Sequence, residues 1–190
     1  MKRSKSVWHN IHHELIDNCR KGDRKAQFEI YRLYYKSMYN ISLRMVNNTQ
    51  EAEDIMQESF LAAFKKIGSY SGEVSFGAWL KRIVINRSLD ALKKKKADLL
   101  SIDDTEDLPD TGVNDADAID ASLIEVKKIQ RCIKLLPDGY RVILSLYLLE
   151  GYDHEEIAGI LGISASTSRS QYTRAKQKLA ELMKKNHQDG

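Results

Sequence analysis

The chain has 190 residues, of which 42% are hydrophobic and 30% charged, and its formal net charge is +3. This composition indicates a soluble globular protein. It excludes a membrane-spanning one, because no apolar run approaches the roughly 20 residues of a span. The N-terminus is basic but no apolar segment follows it, so no secretory signal is expected. The two cysteines, Cys19 and Cys132, are far apart and are predicted to be free thiols of a cytoplasmic protein.

Helical periodicity and the scarcity of proline predict an all-α fold, with two helical domains joined by a flexible acidic linker. In the first domain, helices are expected over residues 11–20, 24–46 and 50–67. Gly22 followed by Asp23 is a helix-stop and helix-start signal, because glycine suits a C-terminal cap and aspartate an N-terminal cap.

The third predicted helix, which Thr49 is expected to cap, has two contrasting faces. Apolar residues at spacings of three and four form one stripe that should be buried. A second face is acidic and polar and includes one leucine: Asp54, Gln57, Glu58 and Leu61. This face suits docking to a partner, and an ordinary solvated surface explains it equally well. A carboxylate metal site is not expected, because no histidine is in register with it.

A polar loop over residues 68–75 leads into a fourth predicted helix, from Phe76 to about Lys96. Aromatic residues (Tyr70, Phe76 and Trp79) lie in sequence beside lysines and arginines. Rings of this kind can stack on the bases of a single strand while the cations follow its phosphates. The competing interpretation is a core tryptophan with lysine stems lying along apolar surface.

Residues 97–121 are rich in aspartate and contain no lysine or arginine, which predicts a flexible, self-repelling linker. Fully extended, such a linker reaches at most about 80 Å. An amphipathic helix follows from Ser122 to Pro137, and an apolar helix after Pro137 leads into the most informative stretch of the chain.

That stretch, residues 154–173, is predicted to be a helix-turn-helix. Asp153 and Glu156 have the spacing of a capping box, Gly162 is expected to end the first helix, and Ser164 to cap the second. The second helix is polar and basic, as required of a helix that enters the major groove with its N-terminal residues leading. A surface helical hairpin is the alternative, but the glycine turn, the caps and the basic face favour DNA binding.

The order and spacing of these segments resemble a bacterial extracytoplasmic-function (ECF) RNA polymerase sigma factor of the sigma-70 superfamily, over nearly the whole chain. The segments KGDRKAQFEIY, EAEDIMQESFLAAFKKI and SFGAWLKRIVINRSLDALKKKK are similar to region 2 of that family. The segment from LPDGYRVILSL to TRAKQKL is similar to region 4. The resemblance implies region 2 in residues 1–96, the linker in 97–121 and region 4 in 122–190. It implies a cytoplasmic, nucleoid-associated factor that directs core RNA polymerase to specific promoters and has no catalysis of its own.

The resemblance also implies roles for individual residues. Contact with the clamp helices of the largest polymerase subunit falls on Asp54, Gln57, Glu58 and Leu61. Recognition and melting of the −10 element falls on Tyr70, Phe76, Arg82, Asn86, Arg87, Lys93 and Lys94. Reading of the −35 element falls on Ser166, Thr167, Arg169, Ser170, Gln171 and Arg174. The resemblance further implies contact with the flap of the second-largest subunit, and it leaves open whether an anti-sigma factor binds the chain.

The recognition helix departs from the family pattern at Gln171, where arginine is common. An amide pairs with adenine more readily than with guanine, so the −35 preference is expected to differ. The alternative function is a stand-alone helix-turn-helix regulator with an N-terminal interaction domain, which leaves the acidic helix face unexplained. An enzyme is not expected, because the sequence has no nucleophile–base pair, phosphate loop or metal-spaced cluster, and no cofactor is implied.

Overall fold

The structure is a computed structural model that describes residues 12–100 and 121–185, with side chains described for 12–97 and 126–185. Every regular element in these ranges is a helix, as the sequence predicted. Among the described helices, none combines the length and the apolar character that a membrane span requires. The chain divides into two compact units, residues 1–92 and 93–190.

The described residues up to Leu100 form four α-helices, and the first junction follows the predicted signals. The elements are α1 (His13–Arg20), α2 (Arg24–Val46), α3 (Thr49–Lys65), a 3₁₀ turn (Ile67–Ser69) and α4 (Phe76–Leu100). Gly22 has the left-handed φ of +83° that ends α1. Asp23 caps α2, because its side chain accepts hydrogen bonds from the backbone N–H groups of Lys25 and Ala26.

The cap of α3 differs by one residue from the prediction. Asn47 takes a left-handed conformation with φ of +54°, and Asn48 follows in an extended conformation. The Asn48 Oδ1 atom accepts the N–H of Glu51 at 2.9 Å. Asn48 is therefore the N-cap and Thr49 the first residue of the helix, since the cap must be the last residue with non-helical backbone.

The core of the first unit lies between α2, α3 and α4. Val46, Ala52 and Ile55 form a buried cluster covered by residues of α2 and α4: Tyr39, Leu43, Ala91 and Leu92. Cys19 is also buried as a free thiol, as predicted. Burial, and after it the charge of Asp23, raises the pKa of the Cys19 thiol, so the sulfur stays protonated and unreactive at neutral pH.

Helix α4 continues to Leu100, whereas the sequence predicted an end near Lys96. The lysine run and the Ala-Asp-Leu-Leu segment after it are compatible with helix, and no glycine or proline occurs before Pro109. The remainder of the predicted linker, residues 101–120, lies outside the described residues.

The second unit packs its long last helix across a short apolar one. Its elements are α5 (Ala121–Lys134), α6 (Asp138–Leu144), a π-helical turn (Ser145–Leu149), α7 (His154–Leu161) and α8 (Ala165–Lys185). Leu136, Leu144 and Ala175 form its buried cluster, which is covered by Tyr140, Tyr172, Leu179 and Leu182. This packing fixes the side of α8 that is left to solvent.

A buried arginine secures the start of α6. Arg141 is only 3% exposed, and it donates to the carbonyl oxygen of Leu136 at 2.9 Å and to Asp138 Oδ1 at 2.5 Å. A buried charge is tolerated only when it is paired and hydrogen-bonded. Arg141 therefore ties the turn at Pro137 to the apolar helix on which α8 rests.

Candidate nucleic-acid interface

The acidic face of α3, meaning Asp54, Gln57, Glu58 and Leu61, is exposed at every position. Spacings of three, four and seven residues place these side chains on one side of the helix. The predicted apolar stripe on the other side is buried at Ala52, Ile55, Met56, Ser59, Phe60 and Ala63. Leu61 is 61% exposed, although Phe60 beside it is 3% exposed. A leucine held in solvent among acidic and polar groups is a surface feature that the core does not require.

An ion pair connects the acidic face to α4. Arg87 Nη1 lies 2.5 Å from Glu58 Oε2, and both side chains are substantially exposed to solvent. The pair joins one residue expected to contact polymerase with one expected to contact DNA. An exposed pair of this kind contributes only about 0–1 kcal/mol to stability. The main effect of the ion pair is therefore to hold the Arg87 guanidinium beside Glu58.

The loop before α4, residues 70–75, is tied down by its own hydrogen bonds. The Tyr70 hydroxyl donates to the carbonyl oxygen of Val74 at 2.7 Å, and Ser75 Oγ accepts the N–H of Ala78 at the start of α4. Gly72 has a left-handed φ of +77° that lets the chain turn back. The side chains that the loop leaves exposed are those of Ser71, Glu73, Val74 and Ser75.

The aromatic rings at the two ends of this loop lie in the core, whereas the predicted stacking on bases would need an exposed ring face. Tyr70 is 5% exposed and Phe76 is fully buried. Phe76 is surrounded by the rings of Tyr34, Tyr70 and Trp79 at centroid distances of 5.5–5.6 Å. Neither Tyr70 nor Phe76 offers a free face to a base in this structure. Both rings pack in the core beneath the exposed loop side chains, and Trp79 is half-buried beside them.

The predicted DNA residues of α4 fall into two stripes. At about 100° per residue, Arg82, Asn86 and Lys93 share one side of the helix, and Arg87 and Lys94 share a second side. All five are exposed except Arg87, which is half-buried. The exposed Asp90 projects between the two stripes, and the sequence prediction took no account of this negative charge.

The predicted helix-turn-helix signals are confirmed in the second unit. Asp153 accepts the N–H of Glu156 at 2.8 Å, and the Glu156 carboxylate accepts the N–H of Asp153 at 2.9 Å. Gly162 ends α7 with a left-handed φ of +69°. Ser164 Oγ accepts the N–H of Thr167 at 3.0 Å and so caps α8.

The predicted reading residues of α8 separate into two groups. Thr167, Ser170, Gln171 and Arg174 share one face, because they lie at positions i, i+3, i+4 and i+7. Ser170 and Arg174 are exposed, and Gln171 is half-buried. The hydroxyls of Ser166 and Thr167 each lie 2.8 Å from Ser164 Oγ, so they take part in the helix cap.

Arg169 lies on another side of α8. Two side-chain contacts join α7 to α8 there, and the sequence did not predict either of them. Arg169 Nη1 lies 3.3 Å from Glu155 Oε1. Ser168, which is fully buried, has its hydroxyl 2.9 Å from His154 Nδ1. The His154 ring in turn stacks on Tyr147 at 4.7 Å. Both residue pairs are separated by fourteen positions, a spacing that no local pattern indicates.

Each of the two units matches a known protein family. The family described as Sigma-70 region 2 matches residues 30–97, and the family described as Sigma-70, region 4 matches residues 127–179. The ECF RNA polymerase sigma factor SigW of Bacillus subtilis is 33% identical over 178 residues, which cover 89% of this chain and 95% of SigW. SigM of the same organism is 32% identical over 155 residues, with 81% and 93% covered.

A solved structure has the same fold. The sigma factor RpoE of Bartonella quintana, determined in complex with the anti-sigma factor NepR, superposes with a TM-score of 0.62 at 21% identity. The match covers 82% of this chain and 95% of RpoE.

The two family matches, one in each helical unit, define the chain as a sigma-70-type transcription initiation factor. The chain belongs to the ECF RNA polymerase sigma factors, which direct RNA polymerase to promoters.

Proposed function

We propose a division of labour in which residues 1–96 bind core polymerase and the −10 element, and residues 122–190 read the −35 element. Residues 97–121 link these two parts. The second part also contacts the flap of the second-largest polymerase subunit. The chain acts in the cytoplasm at the nucleoid and has no catalysis of its own. Core polymerase supplies the chemistry, while phosphate contacts position the factor and base contacts specify the promoter.

The observation that carries the docking role is the acidic face of α3. Its four side chains are exposed together, and Leu61 is 61% exposed among them. An exposed apolar side chain beside polar and charged ones is a usual composition of a protein interface. This face is the proposed contact with the clamp helices of the largest subunit.

The −10 role is supported by the exposed part of the loop and by the two cationic stripes of α4. Bases would meet the exposed loop side chains, while Arg82, Lys93 and Lys94 would meet phosphates. Capturing a base out of the stack costs a few kcal/mol. A loop already held by internal hydrogen bonds keeps the additional ordering cost small.

Mixing the purified chain with sigma-free core polymerase tests the function as a whole. Co-elution in gel filtration, together with a promoter footprint that requires polymerase, is the expected result. A tight footprint on duplex DNA without polymerase, and no co-elution, would instead identify a stand-alone helix-turn-helix regulator. The modest net charge of +3 argues for the first result, because it leaves little charge for phosphate contacts by the free protein.

The ion pair between Glu58 and Arg87 leads to a prediction about DNA binding by the free protein. Glu58→Gln should release the guanidinium of Arg87 toward phosphate. The slope of log K against log salt for a random-sequence duplex should then steepen by up to about one unit, since one more phosphate is neutralised. Glu53→Gln is the matched control, because it removes an equal charge from the same helix, where Glu53 contacts Gln57 and not Arg87. Equal slopes in the two variants would show that only net charge matters.

A second prediction concerns the face of α8 that carries Gln171. Gln171→Arg should shift the −35 preference of the holoenzyme from adenine toward guanine at one position, by about 1–3 kcal/mol of discrimination. In vitro transcription from a library with a randomised −35 region measures this change. Lys178→Arg, on the same helix beyond the reading face, should leave the preference unaltered. A uniform loss of activity over all sequences would assign Gln171 to phosphate contact.

An anti-sigma factor is a further partner that we propose. The fold is that of RpoE, which was solved in complex with the anti-sigma factor NepR. Purification of the tagged chain from its native cells, followed by identification of stoichiometric partners other than polymerase, tests this part of the proposal.

A further inference from the structure

Arg20, the last residue of α1, makes a long-range contact with the loop before α4. Its Nη2 atom donates to the backbone carbonyl oxygen of Tyr70 at 2.6 Å, fifty positions along the chain. Its Nη1 atom donates to Asp17 Oδ1 at 2.8 Å. The guanidinium carbon lies 5.9 Å from the centroid of the Tyr70 ring. A planar fork held at two points has a defined orientation, which a single contact would not give.

Tyr70 is the residue at which the loop leaves the core. Its ring is buried against Phe76 and Trp79, and its hydroxyl closes the loop onto Val74. Its carbonyl lies after the 3₁₀ turn and before α4, so it belongs to no helix. A carbonyl in such a position pairs with a side chain or with water. A charged donor forms a shorter and stronger hydrogen bond than a neutral one, and Arg20 supplies it.

We propose that Arg20 is a positioning residue for the loop over residues 70–75. It fixes the peptide that follows Tyr70, and thereby the direction in which Ser71, Glu73 and Val74 face solvent. The inference rests on the proposed role of this loop in −10 recognition and assigns to α1 a part in promoter choice. Arg20 does not contact the DNA in this scheme, because its two terminal nitrogens are engaged by Asp17 and Tyr70.

Three variants separate positioning from general stability. Arg20→Ala removes the contact, and Arg20→Lys keeps a charged donor of similar reach without the fork. Arg32→Ala is the matched control, since Arg32 makes an equivalent ion pair three residues back, with Glu29 at 2.8 Å. Thermal melting and affinity for core polymerase are measured for all three, and we expect little change because these arginines are at least one-third exposed.

The first readout is amide hydrogen exchange of residues 71–75 in the free protein. Arg20→Ala should exchange roughly tenfold faster there, as expected for loss of one charged hydrogen bond. Arg20→Lys should recover part of the protection, and Arg32→Ala should match the wild type. Unchanged exchange in Arg20→Ala would overturn the inference.

The second readout uses holoenzyme assembled from core polymerase and each variant. The probe is a pool of short single-stranded DNA with a randomised centre, from which bound sequences are recovered and sequenced. Arg20→Ala should recover sequences with several-fold weaker enrichment, while Arg32→Ala recovers the wild-type preference. Faster loop exchange with an unaltered preference would overturn the role of Arg20 in recognition. Wild-type protein that binds core but selects no sequence would refute the proposed −10 function, a result distinct from failure of the Arg20 contact.

Discussion

Asp54→Ala combined with Gln57→Ala should lower the affinity for core polymerase by about 10- to 100-fold, at a cost on the order of 1 kcal/mol for each truncation. Both side chains are exposed, and neither takes part in the buried stripe of α3. Their removal should therefore leave the fold and its thermal stability unchanged. Titration of labelled protein with sigma-free core polymerase measures the affinity, and circular dichroism checks the helices.

A second double variant controls for the loss of one carboxylate and one amide from a helix surface. Gln177→Ala with Glu181→Ala makes that same change at two exposed positions of α8, four residues apart. Because this control lies in the part of the chain proposed to contact the flap, both double variants are also titrated with the clamp helices alone, which the control should bind with wild-type affinity. If the two double variants bind alike, the acidic face of α3 is only a solvated surface, and the docking role belongs elsewhere on the protein.

Features set by neighbouring residues were predictable from the sequence. The cap at Asp23, the capping box at Asp153 and Glu156, and the glycine turn at Gly162 all occur as expected. Each depends on backbone groups within four residues of the side chain that satisfies them, so a linear pattern contains all the necessary information. The one-residue difference at Asn48 arises because Asn48 and Thr49 can both serve as caps.

Features set by contacts across the chain were not predictable. Aromatic residues next to lysines suggested stacking surfaces at Tyr70 and Phe76, but the partner that helps to bury Phe76 is Tyr34 from α2. The contacts of Arg20 with Tyr70 and of Arg87 with Glu58 join different helices in the same way. Periodicity shows which face of a helix is apolar, but not which distant group lies against it.

The burial of Phe76 predicts that Phe76→Ala mainly affects stability. The substitution should lower the free energy of unfolding of the first unit by about 3–5 kcal/mol, because it leaves a cavity among three aromatic rings. Urea unfolding followed by tryptophan fluorescence measures this loss. Trp79 lies 5.5 Å from Phe76 between ring centroids, and a Trp8→Phe background leaves Trp79 as the single tryptophan of the chain.

Phe28→Ala is the matched control, because Phe28 is 62% exposed on α2 while Phe76 is fully buried. Phe28→Ala removes the same atoms from an exposed position, so it should change the free energy of unfolding by no more than about 0.5 kcal/mol. Reduced −10 binding by Phe76→Ala would then follow from loss of the support beneath the loop, and the wild-type ring would need no contact with a base. A stability change below about 1 kcal/mol together with lost −10 binding would reverse this conclusion, since full burial predicts the larger cost. In that case the ring would have to leave the core to stack on DNA.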